Sequence, residues 1–454
     1  MYYQGTVSDV PVYFLGAVIS SWHSYYFQLI HYRFTSISIL FMGEYYNWLN
    51  TLVNKCKSDF SAYPDLKWLN PYEAFEALEQ RVSLINQLQG NTLFKQTKPY
   101  HNQISKGCKI CGEGSWSCLF ITNKCNAGCF YCPVSQNEDE VPSTQGLDFK
   151  TPTEYANYIN QFKFKGVSFS GGEPLLFFDR TLAYLTEVRK KCDKDLYIWA
   201  YTNGILADRE KMEQLAKAGL NEIRFDIGAT AFKLDKIASA KGLIPNITIE
   251  IPAVPEEKQR LIDLLPKMIE AGVTNLNLHQ LRLTPHNVRH LSKRDYTYIP
   301  AERPIVLESE LAAMEIIHYA RENNLKIGIN YCSFFYKHRF QKAGYRRQIA
   351  EALNVNANEI TENGYIRSIA EDHIEYRSVK LYEKEEAAMD CQELLIADKK
   401  YFLAKPLILK EKISVGDKEI ILGLISEKPA EIPSDPLLFK LWQMEYVEEG
   451  LREL

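Results

Sequence analysis

Three cysteines stand close together in one short stretch of the chain, at positions 125, 129 and 132. Their Cys-x3-Cys-x2-Cys spacing puts three thiolates on one loop, where they can face the same metal centre. A four-iron cluster normally takes four cysteine ligands, so three would leave one iron with an open coordination position. An open iron can bind a substrate or a cofactor. Cys125, Cys129 and Cys132 are therefore the candidate ligands of a [4Fe-4S] cluster.

A second motif, Ser170-Gly171-Gly172-Glu173-Pro174, follows about one strand–helix–strand unit later. Gly171 and Gly172 lack side chains and have free dihedral angles, which allows their backbone to approach a bound ligand closely. We expect Gly171, Gly172, Glu173 and Pro174 to form part of a cofactor site beside the cysteines.

Further cysteines allow other interpretations of the metal chemistry. Cys108-x2-Cys111 together with two later cysteines would supply the four ligands of a structural zinc site, but zinc alone leaves the glycine motif unexplained. Alternatively, Cys108, Cys111 and Cys332 hold a second metal centre, an auxiliary iron–sulfur cluster or zinc, with Cys118 or Cys56 completing it. The simpler alternative is a set of separate buried thiols.

Short apolar runs alternate with amphipathic helices from Cys118 onward, which is typical of repeated βα units and a parallel sheet. The pattern predicts an α/β fold with a partial (βα)6 TIM-like barrel. In such barrels the functional loops follow the carboxyl ends of the strands, so the cysteine loop and the glycine motif would meet at one mouth. The predicted strands are Cys118–Asn123, Gly166–Ser170, Leu196–Thr202, Glu222–Ile227, Asn246–Ile251, Asn275–Leu281 and Lys326–Tyr331, and the predicted helices are Thr153–Phe164, Arg180–Lys191, Asp208–Ala218, Phe232–Ala240, Lys258–Ala271, Glu308–Asn323 and Phe334–Leu353.

We expect four regions along the chain. Residues 1–41 form an apolar extension, 42–107 a helical segment that ends in a polar linker, 108–358 the barrel, and 359–454 a small β-rich domain. The predicted strands of that last domain are Tyr365–Ile369, Arg377–Tyr382, Tyr401–Leu409 and Glu419–Leu424.

The extension has no charged side chain from Val10 to Tyr32, a length that would permit a membrane span. Several polar residues and Pro11 interrupt it, and no basic cluster precedes it as in a signal peptide. The alternatives are that Met42 is the native start, or that the extension packs loosely on the protein.

The composition is that of an ordinary globular protein: 46% of the 454 residues are hydrophobic, 24% are charged and the net charge is −4. This charge provides no general attraction to nucleic acid or to anionic membranes. Six of the ten cysteines lie between Cys108 and Cys132, which indicates metal ligation rather than a disulfide framework. We therefore expect a reducing, cytoplasmic location.

These motifs resemble the radical S-adenosylmethionine (SAM) superfamily, and within it the uncharacterised, largely archaeal proteins related to pyruvate formate-lyase activating enzyme. The resemblance covers roughly Lys106 to Gln348. Besides the two motifs above, it includes Gly107-Cys108-x2-Cys111-Gly112, the segments 218–225, 249–253, 275–278 and 331–333, and the residues Phe335, Lys337 and Gln341. Cys118 stands where the pattern has an aliphatic residue.

The resemblance implies that SAM chelates the open iron and is reductively cleaved to a 5'-deoxyadenosyl radical. Glu173 would then accept a hydrogen bond from the SAM ammonium, and Tyr131 would stack near the adenine. Asn203, in Tyr201-Thr202-Asn203-Gly204 after the third strand, would contact the ribose or methionyl part, or would serve only as a turn residue. The resemblance names no substrate, so activation of a glycyl-radical partner and modification of a small molecule or RNA both stay open.

The rival hypothesis is a non-catalytic iron–sulfur or zinc protein that carries electrons or binds a partner. Such a protein would need neither the glycine motif nor SAM. A basic stretch without acids, from 326 to 350, contains Lys337, Arg339, Lys342, Arg346 and Arg347. We expect either a solvated helix face there, or a dock for an acidic reductant such as flavodoxin or ferredoxin, or for a phosphate-bearing substrate.

Overall fold

The structure is a computed structural model of the chain. It describes residues 43–69, 75–88, 91–95, 97–353, 355–382, 392–393, 403–414, 423 and 425–447. The predicted extension over residues 1–41 lies outside this part, as does the strand expected at Glu419–Leu424 apart from Gly423.

Parallel strands dominate the architecture, with helices between them. The strands are β1 Lys67–Trp68, β2 Thr92–Leu93, β3 Lys98–His101, β4 Trp116–Thr122, β5 Ser143–Thr144, β6 Leu147–Asp148, β7 Gly166–Gly171, β8 Tyr197–Thr202, β9 Glu222–Phe225, β10 Asn246–Pro252, β11 Asn275–His279, β12 Thr297–Ile299, β13 Ile305–Val306, β14 Gly328–Cys332, β15 Ile366–Ile369, β16 His373–Tyr382, β17 Gln392–Glu393 and β18 Leu403–Ser414. The helices are α1 Gly43–Asp59, α2 Phe75–Gln87, α3 Lys106–Gly112, α4 Pro152–Gln161, α5 Phe178–Lys191, α6 Arg209–Lys217, α7 Lys258–Ala271, α8 Val288–Leu291, α9 Leu307–Glu322, α10 Phe334–Tyr336, α11 Lys342–Ala352 and α12 Pro436–Glu445.

The main sheet has the strand order β2-β3-β14-β11-β10-β9-β8-β7-β4-β5-β6. Strands β4, β7, β8, β9, β10, β11 and β14 pair in parallel, each with the next. Within the described part of the chain β4 does not pair with β14, so the barrel stays open. The predicted α/β class with a partial, parallel-stranded barrel is confirmed.

Helices α4, α5, α6, α7 and α9 connect successive parallel strands. They pack on a continuous core that includes Leu119, Val167 and Ile198 from the strands and Leu185 and Leu265 from the helices. Buried apolar residues alternate with buried polar ones along β9 to β11, where Glu222, Arg224 and Asn277 face away from this core. The carboxyl ends of the strands are left to carry the polar loops.

The helix expected at Phe232–Ala240 is wrong. Two 3-10 turns, Ile227–Thr230 and Asp235–Ser239, connect β9 to β10 instead. Ala231 and Phe232 between them adopt left-handed backbone conformations, with φ of 51° and 63°. Consecutive left-handed residues cannot continue an α-helix, so the apolar periodicity of this segment does not produce one.

The prediction of a polar linker before residue 107 is also wrong in part, because residues 98–101 of that segment form strand β3. Strand β3 pairs antiparallel with β14 and so extends the main sheet. Two of its polar residues, Lys98 and His101, are buried. The Lys98 ammonium lies 4.5 Å from the centroid of the Tyr336 ring, and a ring nitrogen of His101 is 2.8 Å from the Leu325 carbonyl oxygen. Hydrogen bonds and ring contacts allow these polar side chains to be buried, which composition does not predict.

The C-terminal part forms a separate four-stranded antiparallel sheet, in the order β15-β16-β18-β17. Its β-rich character is as predicted, but α12 was not expected. A third sheet, β1-β12-β13, lies beside the mouth of the barrel. The helices that the structure describes include none that combines the length and the apolar character of a membrane span.

Candidate active site

The cysteines of the sequence motifs meet at one cavity of about 580 Å³. Part of its wall comes from the carboxyl ends of the parallel strands and the loops after them, as expected. The segments β3 and α3, which precede the first parallel strand, supply another part. Seven thiols line it: those of Cys108, Cys111, Cys118, Cys125, Cys129, Cys132 and Cys332. The glycine motif contributes Ser170, Gly171 and Gly172 to the same wall.

The loop that carries Cys125, Cys129 and Cys132 follows β4, and its own backbone folds it into a compact turn. The Cys132 amide donates to the Cys129 carbonyl at 3.0 Å, and the Cys125 amide donates to the Gln136 carbonyl at 3.0 Å. All three cysteines are partly buried. Burial raises the pKa of the Cys125 thiol, and raises that of Cys129 to about 12. The Cys125 and Cys129 thiols are therefore neutral at pH 7 unless a metal binds and displaces their protons.

The two glycines face the cysteine loop more closely than they face the cavity. A Cβ on Gly171 would lie 2.1 Å from the Thr122 carbonyl oxygen, and one on Gly172 would lie 2.1 Å from that of Lys124. Two backbone hydrogen bonds join the same segments, from the Gly172 amide to Thr122 O and from the Glu173 amide to Lys124 O. Gly171 and Gly172 therefore allow the backbone to pack closely against the start of the cysteine loop. The sequence analysis predicted only that they make room for a ligand.

Glu173 is fully buried and does not line the cavity. Its carboxylate accepts hydrogen bonds from the Leu175 amide at 2.9 Å, the Thr202 hydroxyl at 2.9 Å and the Asn203 amide at 2.6 Å. Burial raises the pKa of this carboxyl to about 7, although the three hydrogen bonds oppose the shift. In this conformation Glu173 ties the end of β8 to the glycine motif, and Pro174 after it starts a short 3-10 helix.

Asn203 lies beside the cysteine loop. Its side-chain amide donates to the Cys125 sulfur at 3.5 Å and to the Asn126 side-chain oxygen at 2.7 Å. Its own side-chain oxygen accepts from the Ile205 amide at 3.0 Å, which is the turn role that the sequence also allowed. Both functions hold Asn203 at the cavity wall.

Tyr131 lines the cavity, and its hydroxyl donates to the Asp226 carboxylate at 2.8 Å. Burial raises the pKa of Asp226 to about 6, although the Tyr131 hydrogen bond opposes the shift. Asp226 follows β9 and accepts a second hydrogen bond from the Gly228 amide. The pair links the cysteine loop to the fourth parallel strand and fixes the Tyr131 ring at the cavity wall.

Cys108, Cys111 and Cys332 line another part of the same cavity. Asn277 donates to the Cys108 sulfur at 3.1 Å, and Gln341 donates to that of Cys111. Burial raises the pKa of Cys108 and of Cys111, and the neighbouring Cys332 and Cys108 thiols add to the shift at Cys111. The second metal centre stays a prediction.

The two other cysteines considered for that centre lie in different places. Cys118 faces the cavity from β4 instead of filling the core, and burial raises its pKa to about 11. Cys56 lies outside the cavity lining, and its thiol donates to the Ala301 carbonyl at 3.4 Å. Cys118 is therefore the better placed of the two.

The three thiols of the cysteine loop have the chemistry of cluster ligands. Among the residues that the structure describes, no three Cys, His, Asp or Glu side chains converge as one metal ion requires. A structural zinc ion needs such convergence. In a four-iron cluster each thiolate binds a different iron, so three partly buried thiols around a cavity wall suit it.

A buried network of charged side chains supports this cavity and was not predicted. Arg224, nearly inaccessible to solvent, forms ion pairs with Glu222 and Glu250 at 3.0 and 2.6 Å. Its guanidinium carbon also lies 4.9 Å from the centroid of the Trp199 ring. Burial alone would raise the pKa of Glu250, but Arg224 and His279 hold it well below its usual range. The alternation of polar and apolar residues in β9 to β11 was the sequence pattern that could have predicted this buried network.

A π-helical turn, Lys337–Gln341, separates α10 from α11. Turns of this kind often lie at functional sites. Here Lys337, His338 and Gln341 of the turn line the cavity, as do Phe334 before it and Lys342 after it. The basic stretch is thus partly a cavity wall and not only a solvated face.

The rest of that stretch is occupied by contacts within the protein. The Arg346 guanidinium donates to the Asn363 carbonyl and side-chain oxygens, and Arg347 donates to the Glu362 carbonyl. Lys342 pairs with Glu302 at 3.5 Å. These contacts reduce the charge that a docking partner would meet.

Part of the chain matches a known protein family. Residues 119–242 match the model of the Radical SAM superfamily. This segment of the chain is therefore similar to the radical SAM superfamily, as the motifs indicated. The matched segment runs from β4 to the turn before β10 and includes both motifs.

Two proteins of Methanocaldococcus jannaschii illustrate the similarity. One, provisionally named a glycyl-radical enzyme activating enzyme, is 28% identical over 335 residues, which are 69% of this chain and 84% of that protein. The other, provisionally named a GTP 3',8-cyclase, is 30% identical over 171 residues, 37% of this chain and 49% of that protein. Among solved structures, Streptococcus suis SuiB bound to S-adenosylmethionine matches with 14% identity and a TM-score of 0.37, over 47% of this chain and 49% of SuiB.

Proposed function

We propose that this protein binds a site-differentiated [4Fe-4S] cluster through Cys125, Cys129 and Cys132 and cleaves SAM reductively. The observation that carries the proposal is that all three thiols and the Gly171-Gly172 backbone line one cavity at the carboxyl ends of parallel strands. When bound, the cluster would pass one electron from a reductant to SAM, giving methionine and a 5'-deoxyadenosyl radical that takes a hydrogen atom from the substrate.

The residues of this chain would position the reactants for that step. Asn203 would hold Cys125 through its side-chain amide. The Gly172 and Glu173 amides would fix the start of the cysteine loop. Tyr131, anchored by Asp226, would provide a rigid ring at the cavity wall for the adenine. The protein thus supplies position and shielding from water, and the cofactors supply the difficult chemistry.

The substrate is the open part of the proposal. Activation of a glycyl-radical partner protein is supported by the name of the archaeal relative, which this chain covers over 84% of its length. A reductant such as flavodoxin or ferredoxin would then be a second partner.

The test is anaerobic. The full chain is reconstituted with iron and sulfide, reduced with dithionite and mixed with SAM, and 5'-deoxyadenosine is measured. We expect formation that is lost in the triple variant Cys125→Ala/Cys129→Ala/Cys132→Ala. Cys192→Ala is the matched control, because this thiol contacts the Ala156 carbonyl and does not line the cavity. Zinc instead of iron in anaerobically isolated protein would contradict the proposal and favour the non-catalytic alternative.

A further inference from the structure

The charged side chains that line the cavity are unequally distributed between the two signs. Six are cationic and two, Asp226 and Glu250, are acidic. Asp226 is bound by Tyr131, and Glu250 is bound by Arg224 and by His279 at 2.5 Å. Both acids are thus fully used within the protein. Of the other cations, Lys342 pairs with Glu302 and Lys98 lies over the Tyr336 ring, which leaves Arg282, Arg303 and Lys337.

Arg282 and Arg303 are the cations that stand out. In the described ranges of the chain neither forms an ion pair, although both line the cavity. Burial and the nearby Arg303 lower the pKa of Arg282 to about 10, while Cys132 opposes the shift. Arg282 therefore stays charged at pH 7. The Asn287 side-chain amide donates to the Arg282 carbonyl at 3.0 Å and to the Tyr131 carbonyl at 3.2 Å, which places Arg282 beside the cysteine loop. An antiparallel bridge between Arg282 and Ile305 brings Arg303 near it. Two guanidinium groups that repel each other are held together at some cost to stability.

Lys337 adds a third cation to the same corner. Its ammonium lies 4.8 Å from the centroid of the Phe334 ring, and the Arg282 guanidinium lies 5.2 Å from the same centroid. The Lys337 ammonium also donates to Nδ1 of His279 at 3.2 Å. Burial and the Lys337 charge lower the pKa of His279, so the imidazole is neutral and its other nitrogen donates to Glu250. This chain of contacts fixes the Lys337 ammonium at the cavity wall.

One buried amide group nearby also lacks a partner within the protein. The Nε2 of Gln280 is inaccessible to solvent and, within the described residues, has no hydrogen-bond partner. Gln280 is 3% exposed and lines the cavity, and its side-chain oxygen accepts from the Phe334 amide at 3.1 Å. A buried donor without a partner costs about 1–3 kcal/mol. An unused donor at the cavity wall, beside cations without acidic partners, is suited to an anionic ligand.

We propose that Arg282, Arg303 and Lys337 form the binding site for a phosphate or carboxylate group of a small anionic substrate. The guanidinium groups are suited to bidentate binding of such groups. All three cations line the same cavity as the cysteine loop. Since Arg282 lies near Cys132, an anion held there places the rest of the substrate beside the cluster loop. That the anion belongs to a substrate rests on the proposed function. A small anionic substrate is an alternative to a glycyl-radical partner protein.

The test measures anion binding directly, without turnover. The reconstituted full chain is titrated with sodium pyrophosphate, and separately with citrate, at constant ionic strength, and the heat of binding is recorded by calorimetry. We expect saturable binding of at least one of the two anions, and about tenfold or greater weakening in Arg282→Gln and Arg303→Gln. The anion that binds tells a phosphate site from a carboxylate site. Arg289→Gln, an exposed arginine outside the cavity lining, should bind as the wild type does.

Several results would overturn the proposal. No saturable binding of either anion, or equal binding by the wild type and both variants, removes the site. Displacement of the anion by SAM would assign the cations to the SAM carboxylate instead. Arg282→Lys, which keeps the charge, guards against misfolding, since it should retain part of the affinity. The same preparations are assayed for 5'-deoxyadenosine, so failure of SAM cleavage and failure of anion binding are seen separately.

Discussion

Glu173 is a buried carboxyl group whose hydrogen bonds all come from the protein itself. Burial raises its pKa to about 7 in the folded protein, from an ordinary value near 4.5. A raised folded-state pKa means that the native state holds the proton more tightly than the unfolded state does. The resulting stabilisation is complete below about pH 4.5 and is lost as the pH rises through about 7.

We therefore predict that the wild type gains stability over Glu173→Gln as the pH falls from 8 to 5. The expected gain is about 2 kcal/mol in the free energy of unfolding, from the shift of the pKa to about 7. The measurement is urea unfolding of both proteins, in the same metal state, at several pH values. Asp226 and other titrating groups are present in both proteins, so their contribution largely cancels in the difference. A difference that does not change with pH would show that Glu173 is ionised at pH 5.

At the scale of elements, the cysteine loop depends on the close approach of two backbone segments. The ends of β4 and β7 come together where Gly171 has φ of 117°. A Cβ there would meet the Thr122 carbonyl oxygen at 2.1 Å, which requires the segments to separate. Since Thr122 leads directly into the loop, such a shift would also move Cys125.

We predict that Gly171→Ala destabilises the protein by several kcal/mol and lowers the iron content after reconstitution. Gly242→Ala is the matched control, because Gly242 also has a positive φ, of 75°, but nothing lies within 4 Å of its added Cβ. The control should cost only about 1–2 kcal/mol for the left-handed backbone. Thermal unfolding and iron analysis measure the two effects. Equal losses in the two variants would contradict the role of backbone packing at Gly171.

The parallel strands could be predicted closely because each is a short segment with buried apolar residues, bounded by turn residues. The expected strand Asn246–Ile251, for example, is observed as Asn246–Pro252. The cysteine loop and the glycine motif were placed at one cavity by the same argument, since both follow parallel strands. Local pattern alone predicts such elements well, because packing of both sheet faces favours the same residues as the pattern does.

Other elements could not be predicted, because contacts distant in sequence decide them. Strand β3 joins the sheet only by pairing with β14, more than two hundred residues later. The π-helical turn at Lys337 looks like ordinary helix in sequence, although it places three side chains in the cavity wall. The same limit applies to Glu173, whose three hydrogen-bond donors include two on β8 and the turn after it. Sequence position predicted that Glu173 belongs to the site, but did not predict that its carboxylate is buried outside the cavity lining.

At the scale of the whole molecule, helices from both ends of the described chain support one wall of the cavity. Leu49 of α1 packs in a buried cluster with Phe439 and Trp442 of α12, and Phe335 of α10 lies against that cluster. Phe334, the neighbour of Phe335, has both Arg282 and Lys337 against its ring. The C-terminal helix therefore holds the N-terminal helix on the far side of the residues proposed to bind the anion.

We predict that Trp442→Ala destabilises the protein by about 3–5 kcal/mol, since it removes a large side chain that is 2% exposed. Because Trp442 packs with Leu49, the amides of α1 should also exchange with deuterium faster, while those of the parallel strands stay protected. Lys440→Ala on the same helix is the control. It removes only a surface ion pair with Glu411, which is worth about 1 kcal/mol or less. Hydrogen exchange with mass spectrometry distinguishes the outcomes. Faster exchange confined to α12 would show that α1 is held by its other contacts, and that the two helices do not act together on the cavity wall.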